Sequence, residues 1–306
     1  PAAFWRDLLD DPRAAESAHA AAALVQNLGK YPVGDIGAGW LLDALLRPRL
    51  GAAVAQWLGK ADTLPGLDLE RVKGMVFHPA LRPVALQLLG NRKLVSVQAL
   101  GVGWLLALAR RPDPSLHTFA HQTLLARVRP EDFAEAAPGE DAAALAARGV
   151  ARLFTMATGP KEPDAVRAFA QTYLRCHHPA LGASQPESKQ HGVKPLVSAA
   201  EYSAARLWPA LDDARPDVRR FAVTIARAEL RAWGYHTRVY ELAEREPKEV
   251  RNVAYDALLK AGEKGADKAC TLAVTELDPA RVMALTESRR KSTREVGVEL
   301  IRRHYG

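Results

Sequence analysis

The chain has little that could staple, span or coordinate. Only two cysteines, Cys176 and Cys270, occur among its 306 residues. That is too few for a disulfide framework and fits a reducing, cytoplasmic setting. No uninterrupted apolar run approaches the ~18 residues of a membrane span; the richest stretch, Val95 to Ala109, is cut by Ser96, Gln98 and two glycines. No basic-then-apolar signal pattern opens the sequence. Alternating β-branched and aromatic residues, the mark of strands, are nearly absent. So are a glycine-rich phosphate loop, a zinc-protease helix motif and a Cys-x-x-Cys pair. Gly34, Gly37 and Gly39 follow no strand and read as a turn into a helix. No cofactor is therefore expected.

What remains is ordinary globular material, 48% hydrophobic and 25% charged, which excludes wholesale disorder. Its length suggests about two domains of ~150 residues, a count that loses meaning in a repeat array. Basic residues outnumber acidic ones, 42 against 35, for a net charge of +7 and a pI near 9.5. The excess is even: 22 basic against 18 acidic residues up to position 200, and 20 against 17 beyond it. Arg215, Arg219 and Arg220 cluster, as do Arg289, Arg290, Lys291 and Arg294, and Arg302 and Arg303. Acids such as Asp212, Asp213, Glu287 and Glu295 dilute each cluster. Nucleic-acid binding needs phosphates neutralised along one face, so it ranks here as the second expectation.

Apolar spacing is helical along most of the chain. Ala205, Leu207, Trp208 and Leu211 share a stripe, as do Phe221, Ile225, Ala228 and Trp233. Alanine, the best helix former, dominates Ala14 to Ala23 and Ala142 to Ala151. Prolines punctuate the sequence from Pro32 to Pro279. Proline suits a helix's first turn and breaks its interior, so the helices are short and begin near these residues. The fold class expected is all-α. Gly182 to Pro195 is a long polar stretch for a helical array and reads as a loop between an N-terminal block, 1–181, and a C-terminal block, 196–306. Ala137 to Asp141 reads as a shorter turn ending in a helix cap.

One phrase recurs. Pro216-Asp217-Val218-Arg219-Arg220-Phe221-Ala222 is echoed by Pro247-Lys248-Glu249-Val250-Arg251-Asn252-Val253-Ala254. Upstream copies are Leu81-Arg82-Pro83-Val84-Ala85 after Pro79, and Pro163-Asp164-Ala165-Val166-Arg167-Ala168-Phe169-Ala170. Looser ones are Pro114 to Ala120, with His117 for the arginine, and Thr293-Arg294-Glu295-Val296. The marker positions 82, 117, 167, 219, 251 and 294 are separated by 35, 50, 52, 32 and 43 residues. This pattern resembles the HEAT repeat family, and is crispest from Arg206 to Leu259. The resemblance implies an α-solenoid of stacked antiparallel helix pairs, since one pair cannot bury its apolar face alone. It also implies that each arginine reaches an acid of an adjacent repeat, with Asp212, Asp213, Asp217 and Glu244 as candidate acceptors.

Candidate chemistry is thin. Cys176, His177, His178 and His191 form the densest set of metal-type ligands, but His191 lies thirteen residues beyond His178, which suits a helix end better than a zinc site. Serines such as Ser96, Ser115, Ser184, Ser188 and Ser198 suggest no triad. The six tryptophans, Trp5, Trp40, Trp57, Trp104, Trp208 and Trp233, read as wedges in an inter-repeat core. Helical-repeat DNA glycosylases offer an alternative, in which Trp208 with Asp212, or Trp233 with Arg231, would cradle a base.

The first functional expectation is a non-catalytic scaffold that binds a partner protein, or a flanking domain of its own chain, on a concave helical face. Arg219, Arg220, Arg251, Arg294 and Trp208 are the candidate contacts on that face. Phe4, Trp5, Leu8 and Leu9 at one end, and an uncapped repeat helix from Arg289 to Tyr305 at the other, lead to the further expectation of a segment from a longer protein. The alternative is a nucleic-acid-binding repeat protein. A buried histidine–acid pair would reopen the case for an enzyme.

Overall fold

The computed structural model describes residues 1–13, 17–135, 140–266 and 269–305, which form helices and turns without a strand. None of these helices is long and apolar enough to cross a membrane. Two compact units divide the chain, Pro1–Arg127 and Val128–Gly306.

The first unit contains α1 (Ala2–Asp10), α2 (Ala18–Leu28), α3 (Val33–Ile36), α4 (Ala38–Ala44), α5 (Gly51–Gly59), α6 (Leu69–Met75), α7 (Arg82–Gly90), α8 (Val97–Leu100), α9 (Val102–Ala109) and α10 (Pro114–Arg127). The second contains α11 (Ala142–Thr158), α12 (Asp164–Cys176), α13 (Pro186–His191), α14 (Ala204–Leu207), α15 (Pro216–Glu229), α16 (Tyr235–Ala243), α17 (Lys248–Leu259), α18 (Pro279–Thr286) and α19 (Lys291–His304). Proline opens α10, α13, α15 and α18, and stands at the cap of α3, α12 and α17. Ser17, Asp68, Ser96, Asp141 and Asp278 cap helices by accepting a first-turn amide. Asp141 is the cap expected after Ala137; residues 136–139 of that turn, and Ala14 and Ala15 of the alanine run, lie outside the described residues. The stretch 182–195 lies within the second unit and is folded rather than an open loop. It forms a 3₁₀ turn at Gly182–Ser184 and then α13, closed by Gly192 at φ 62°.

Neighbours in sequence are neighbours in space. In the first unit α1 packs on α2, α6 on α7 and α9 on α10, and α7 touches both α5 and α10. In the second, α11 packs on α12, α16 on α17 and α18 on α19, while α12 touches α15, α15 touches α17 and α17 touches α19. Leu28, Ile36, Leu41, Leu58, Leu88 and Leu89 are the large buried side chains of the first unit, whereas Phe133, Phe169, Tyr173, Tyr202 and Phe221 fill the second. The tyrosines satisfy their hydroxyls in the core: Tyr173 donates to Val128 O at 2.9 Å and Tyr202 to Leu174 O at 2.6 Å.

The first unit also repeats an element that the arginine phrase does not mark. Ile36-Gly37-Ala38-Gly39-Trp40-Leu41-Leu42 is matched by Leu100-Gly101-Val102-Gly103-Trp104-Leu105-Leu106. In each copy a four-residue helix ends at a glycine, Gly37 at φ 97° or Gly101 at φ 79°, from which a second helix departs. An L side chain is strained at such angles, so glycine sets the bend. Trp40 donates its indole N–H to the Asp10 carboxylate at 3.0 Å, and the Lys73 ammonium lies 5.6 Å from the Trp104 ring centre. Of the six tryptophans only Trp233 is buried; the other five are half-buried at helix surfaces. A ring this large is seldom fully buried.

The recurring arginines share one geometry. Arg82 Nε donates to Val76 O at 2.8 Å, Arg167 Nη1 to Glu162 O at 2.9 Å and Arg219 Nη1 to Asp213 O at 2.6 Å. Arg251 Nη1 donates to Arg245 O at 2.9 Å and Arg294 Nη1 to Ser288 O at 2.8 Å. Each bond ties the helix to a carbonyl of the connection that leads into it. A second arm of the guanidinium then reaches forward. Arg82 meets Asp113 at 2.5 Å, Arg167 meets Asp217 at 2.5 Å and Arg219 meets Glu249 at 2.8 Å. Each of these acids lies in the first turn of the next helix of the series or just before it, where the helix dipole favours negative charge.

Of the acceptors expected from sequence, Asp217 takes this place. Asp212 pairs instead with Arg245, Asp213 with Arg215 at 2.7 Å, and Glu244 accepts from Ser288 Oγ at 2.9 Å. Asp113 and Glu249 are additional acceptors. The series is interrupted at two places: His117 stacks on His121 at 4.0 Å, and in the helix after Arg251 the position held by Asp217 and Glu249 in the preceding helices is Ser292. Arg251 Nε is buried without a hydrogen-bond partner among the described residues.

These junctions differ in burial, which sets their energetic weight. Arg167 is buried, and although burial opposes the Asp217 charge, the hydrogen bond from Arg167 holds that carboxyl below its ordinary range. Asp217→Asn leaves the buried Arg167 with the exposed Asp164 as its remaining carboxylate partner and should destabilise the protein by about 2–3 kcal/mol. Glu249→Gln, at a more exposed pair, should remove about 1 kcal/mol or less. Urea denaturation of both variants checks the ordering, and equal losses would contradict it. Ser292→Glu supplies the missing carboxylate to Arg251 and should add about 0.5 kcal/mol; an unchanged or lowered urea midpoint would count against the proposed register.

Candidate functional site

The second unit gathers aromatic and guanidinium groups around Trp208. This residue follows α14 and leads into a 3₁₀ turn at Pro209–Asp212. Its ring is half-buried and approached by two cations, Arg238 at 4.8 Å and Arg245 at 5.3 Å from the ring centre. Trp233 meets it edge-on at 6.3 Å and donates its indole N–H to Tyr202 O at 2.7 Å. Electron-rich indole faces attract guanidinium groups, which are weakly hydrated and planar. Arg245 is further held by the Asp212 carboxylate.

Arg245 also borders an open groove of about 590 Å³ between α16 and α18. Tyr240 and Leu285 are buried beneath it, Ala284 is exposed along it, and Glu241, Glu244, Arg245 and Arg281 complete the lining. The walls are braced by backbone bonds: Asp278 N donates to Tyr240 Oη at 3.0 Å, and Arg281 Nη1 to Thr237 O at 2.8 Å. Met283, on the same helix as Ala284, is 56% exposed. Apolar floor, mixed-charge rim and a neighbouring tryptophan therefore lie together.

The candidate contacts named from sequence are separated by this geometry. Trp208 lies beside the groove through Arg245. Arg219 and Arg251 are half-buried and engaged with backbone carbonyls, Arg219 also with Glu249. Arg220 is exposed and donates Nε to Pro216 O at 3.3 Å; Arg294 is exposed on α19. Acids interleave with the exposed cations, as in Arg227–Asp256 at 2.7 Å and Lys291–Glu295 at 3.7 Å. The base-cradle arrangements fare no better: Asp212 is occupied by Arg245, Trp233 is buried, and Arg231 pairs with Glu276 at 3.3 Å.

The Cys176–His191 cluster is put to structural use. His177 Nδ1 is 2.9 Å from Lys194 O, and its ring lies 4.1 Å from that of Tyr173. His178 is fully buried, and its Nδ1 accepts from Ala180 N at 3.1 Å and Leu181 N at 3.3 Å. Its Nε2 lies 3.1 Å from Glu229 Oε1. Burial pushes the Cys176 thiol up. Among the described residues no three His, Cys, Asp or Glu side chains converge as a metal site. A buried histidine–acid pair thus exists, though 51 residues apart in sequence. His178 caps a turn through Nδ1, while its buried Nε2 lies beside Glu229 without hydrogen-bond geometry.

Comparison with known protein families finds no matching family model, and comparison with curated proteins finds no similar sequence.

The His178 arrangement makes stability pH-dependent. Burial pushes its pKa down to about 4 and raises that of Glu229. Between pH 6.5 and about 4 the unfolded chain therefore takes up a proton on His178 that the folded chain does not, so this contribution falls with pH. Glu229 acts in the opposite sense above the ordinary Glu pKa, which makes a paired comparison necessary. His178→Asn keeps a non-titrating acceptor for the Ala180 and Leu181 amides. Wild type should lose on the order of 2–3 kcal/mol more than this variant between pH 7 and 4. Parallel urea midpoints across that range would refute the assignment.

Proposed function

We propose that this chain is a helical-repeat interaction module, an α-solenoid of HEAT-like pairs that recognises a protein partner without catalysing a reaction. The observation that carries the reading is the groove beside Trp208. Its buried Tyr240 and Leu285 and its mixed-charge rim match the anatomy of protein-binding surfaces, where an apolar centre is ringed by polar groups and arginine and aromatics are enriched. The helix-to-helix packing through the second unit supports the solenoid. The interleaved ion pairs favour protein over a polyphosphate backbone. The scarcity of cysteine, two in 306 residues, supports a reducing, cytoplasmic setting.

Ala284→Arg fills the groove from an exposed position. It should abolish recovery of a co-purifying partner while leaving the thermal melt unchanged, as read by affinity purification and circular dichroism. A partner retained by this variant would exclude the groove. In parallel, a fluorescent 20-base-pair duplex at ~50 mM salt should show no saturable binding; tight binding with a steep salt dependence would replace this reading with the nucleic-acid one.

A further inference from the structure

We propose that the outward face of α19 is a second docking surface, built to receive an α-helix of a partner protein that carries a carboxylate in its first turn. The occupant's chemistry follows from three junctions inside the chain. Arg82, Arg167 and Arg219 each hold a carbonyl of their own connection with one nitrogen and an acid of the following helix with another. Those acids, Asp113, Asp217 and Glu249, lie within the first turn of α10, α15 and α17 or directly before it.

Arg294 has completed the first half of this arrangement. Its Nη1 donates to Ser288 O at 2.8 Å, and no acid meets its other nitrogens among the described residues. The side chain one turn further on tells the same story. Gln171, four residues after Arg167, lies 3.5 Å from Asp217; Tyr255, four after Arg251, bonds Ser292 and Thr293 of α19 at 3.0 and 2.8 Å. The equivalent residue of α19 is Val298, which is 48% exposed. A crevice of about 470 Å³ is lined by Lys291, Arg294, Glu295, Val298, Glu299 and Arg302. Lys291 and Arg302, largely exposed at its two ends, pair with Glu295 at 3.7 Å and Glu299 at 3.0 Å along the helix, so Arg294 is the lining cation without an acid among the described residues. Arg294 beside an uncovered valine complements the negative first turn and apolar stripe of an incoming helix. The surface continues the interface series from α12 to α15, α15 to α17 and α17 to α19.

The probe is a fluorescein-labelled, hydrocarbon-stapled helical peptide of residues 247–259, which brings its own Glu249 to the junction. Fluorescence anisotropy with the whole chain should rise saturably. Affinity should fall about fivefold with Arg294→Ala, and about fivefold with a peptide bearing Glu249→Gln. Val298→Asp should abolish binding; circular dichroism of both exposed-site variants controls for folding. No saturation at ~1 mM peptide, or equal affinity for wild type and Arg294→Ala, overturns the proposal. Sedimentation showing self-association that Val298→Asp removes would also overturn it, by assigning the face to a second copy. Ala284→Arg should leave peptide binding intact, which separates this surface from the groove between α16 and α18.

Discussion

A helix ends with carbonyl groups that have no partner, and the connection after it adds more; the next helix begins with a surplus of positive dipole. The recurring arginine meets the first need with one arm of its guanidinium, and its second arm finds the carboxylate that the dipole invites. Five donors in a fixed plane allow both bonds from one side chain, which the single ammonium of lysine cannot hold at such angles. Arg167 is the fullest case, joining Glu162 O, Asp164 and Asp217 while buried. Short helices that would be marginal alone are thereby fastened both to their own connections and to one another.

This use of arginine also bears on the basic character of the chain. A guanidinium bonded to backbone carbonyls adds a positive charge with no matching acid. Arg251, for instance, donates to Arg245 O at 2.9 Å, and Arg127 reaches Leu89 O and Val95 O in the first unit. A high pI is then a by-product of architecture. It carries no implication of a nucleic-acid ligand until the cations align on one surface.

Local signals were legible in the sequence and distant ones were not. Helix starts followed from proline and cap residues, because those effects act within a turn. The arginine phrase exposed the repeating junction. Its acceptors were only partly foreseen: Asp217 was named, but Glu249 reads alone as a solvated charge, and its role emerges only when the copies are aligned on their arginines. The Gly37 and Gly101 copies lack an arginine and so escaped a search keyed to it. The pairing of His178, in the turn after α12, with Glu229 of α15 has no local trace. The groove near Trp208 was visible only as a tryptophan, since Tyr240, Arg281 and Leu285 reach it from different helices. The stretch 182–195 looked open by composition, yet Pro186 and Gly192 supply a start and a stop for α13.

The two copies of the glycine-bent element in the first unit keep their indole but give it opposite company. Trp40 directs its N–H edge at the carboxylate of Asp10, while Trp104 offers its ring to the ammonium of Lys73. An aromatic ring is positive at its rim and negative over its plane, so one residue type can serve either sign. A repeated fold gains from that a tolerance which no carboxylate or guanidinium has: the charge of a neighbour can invert between copies while the anchoring residue, and the bend that presents it, stay as they are.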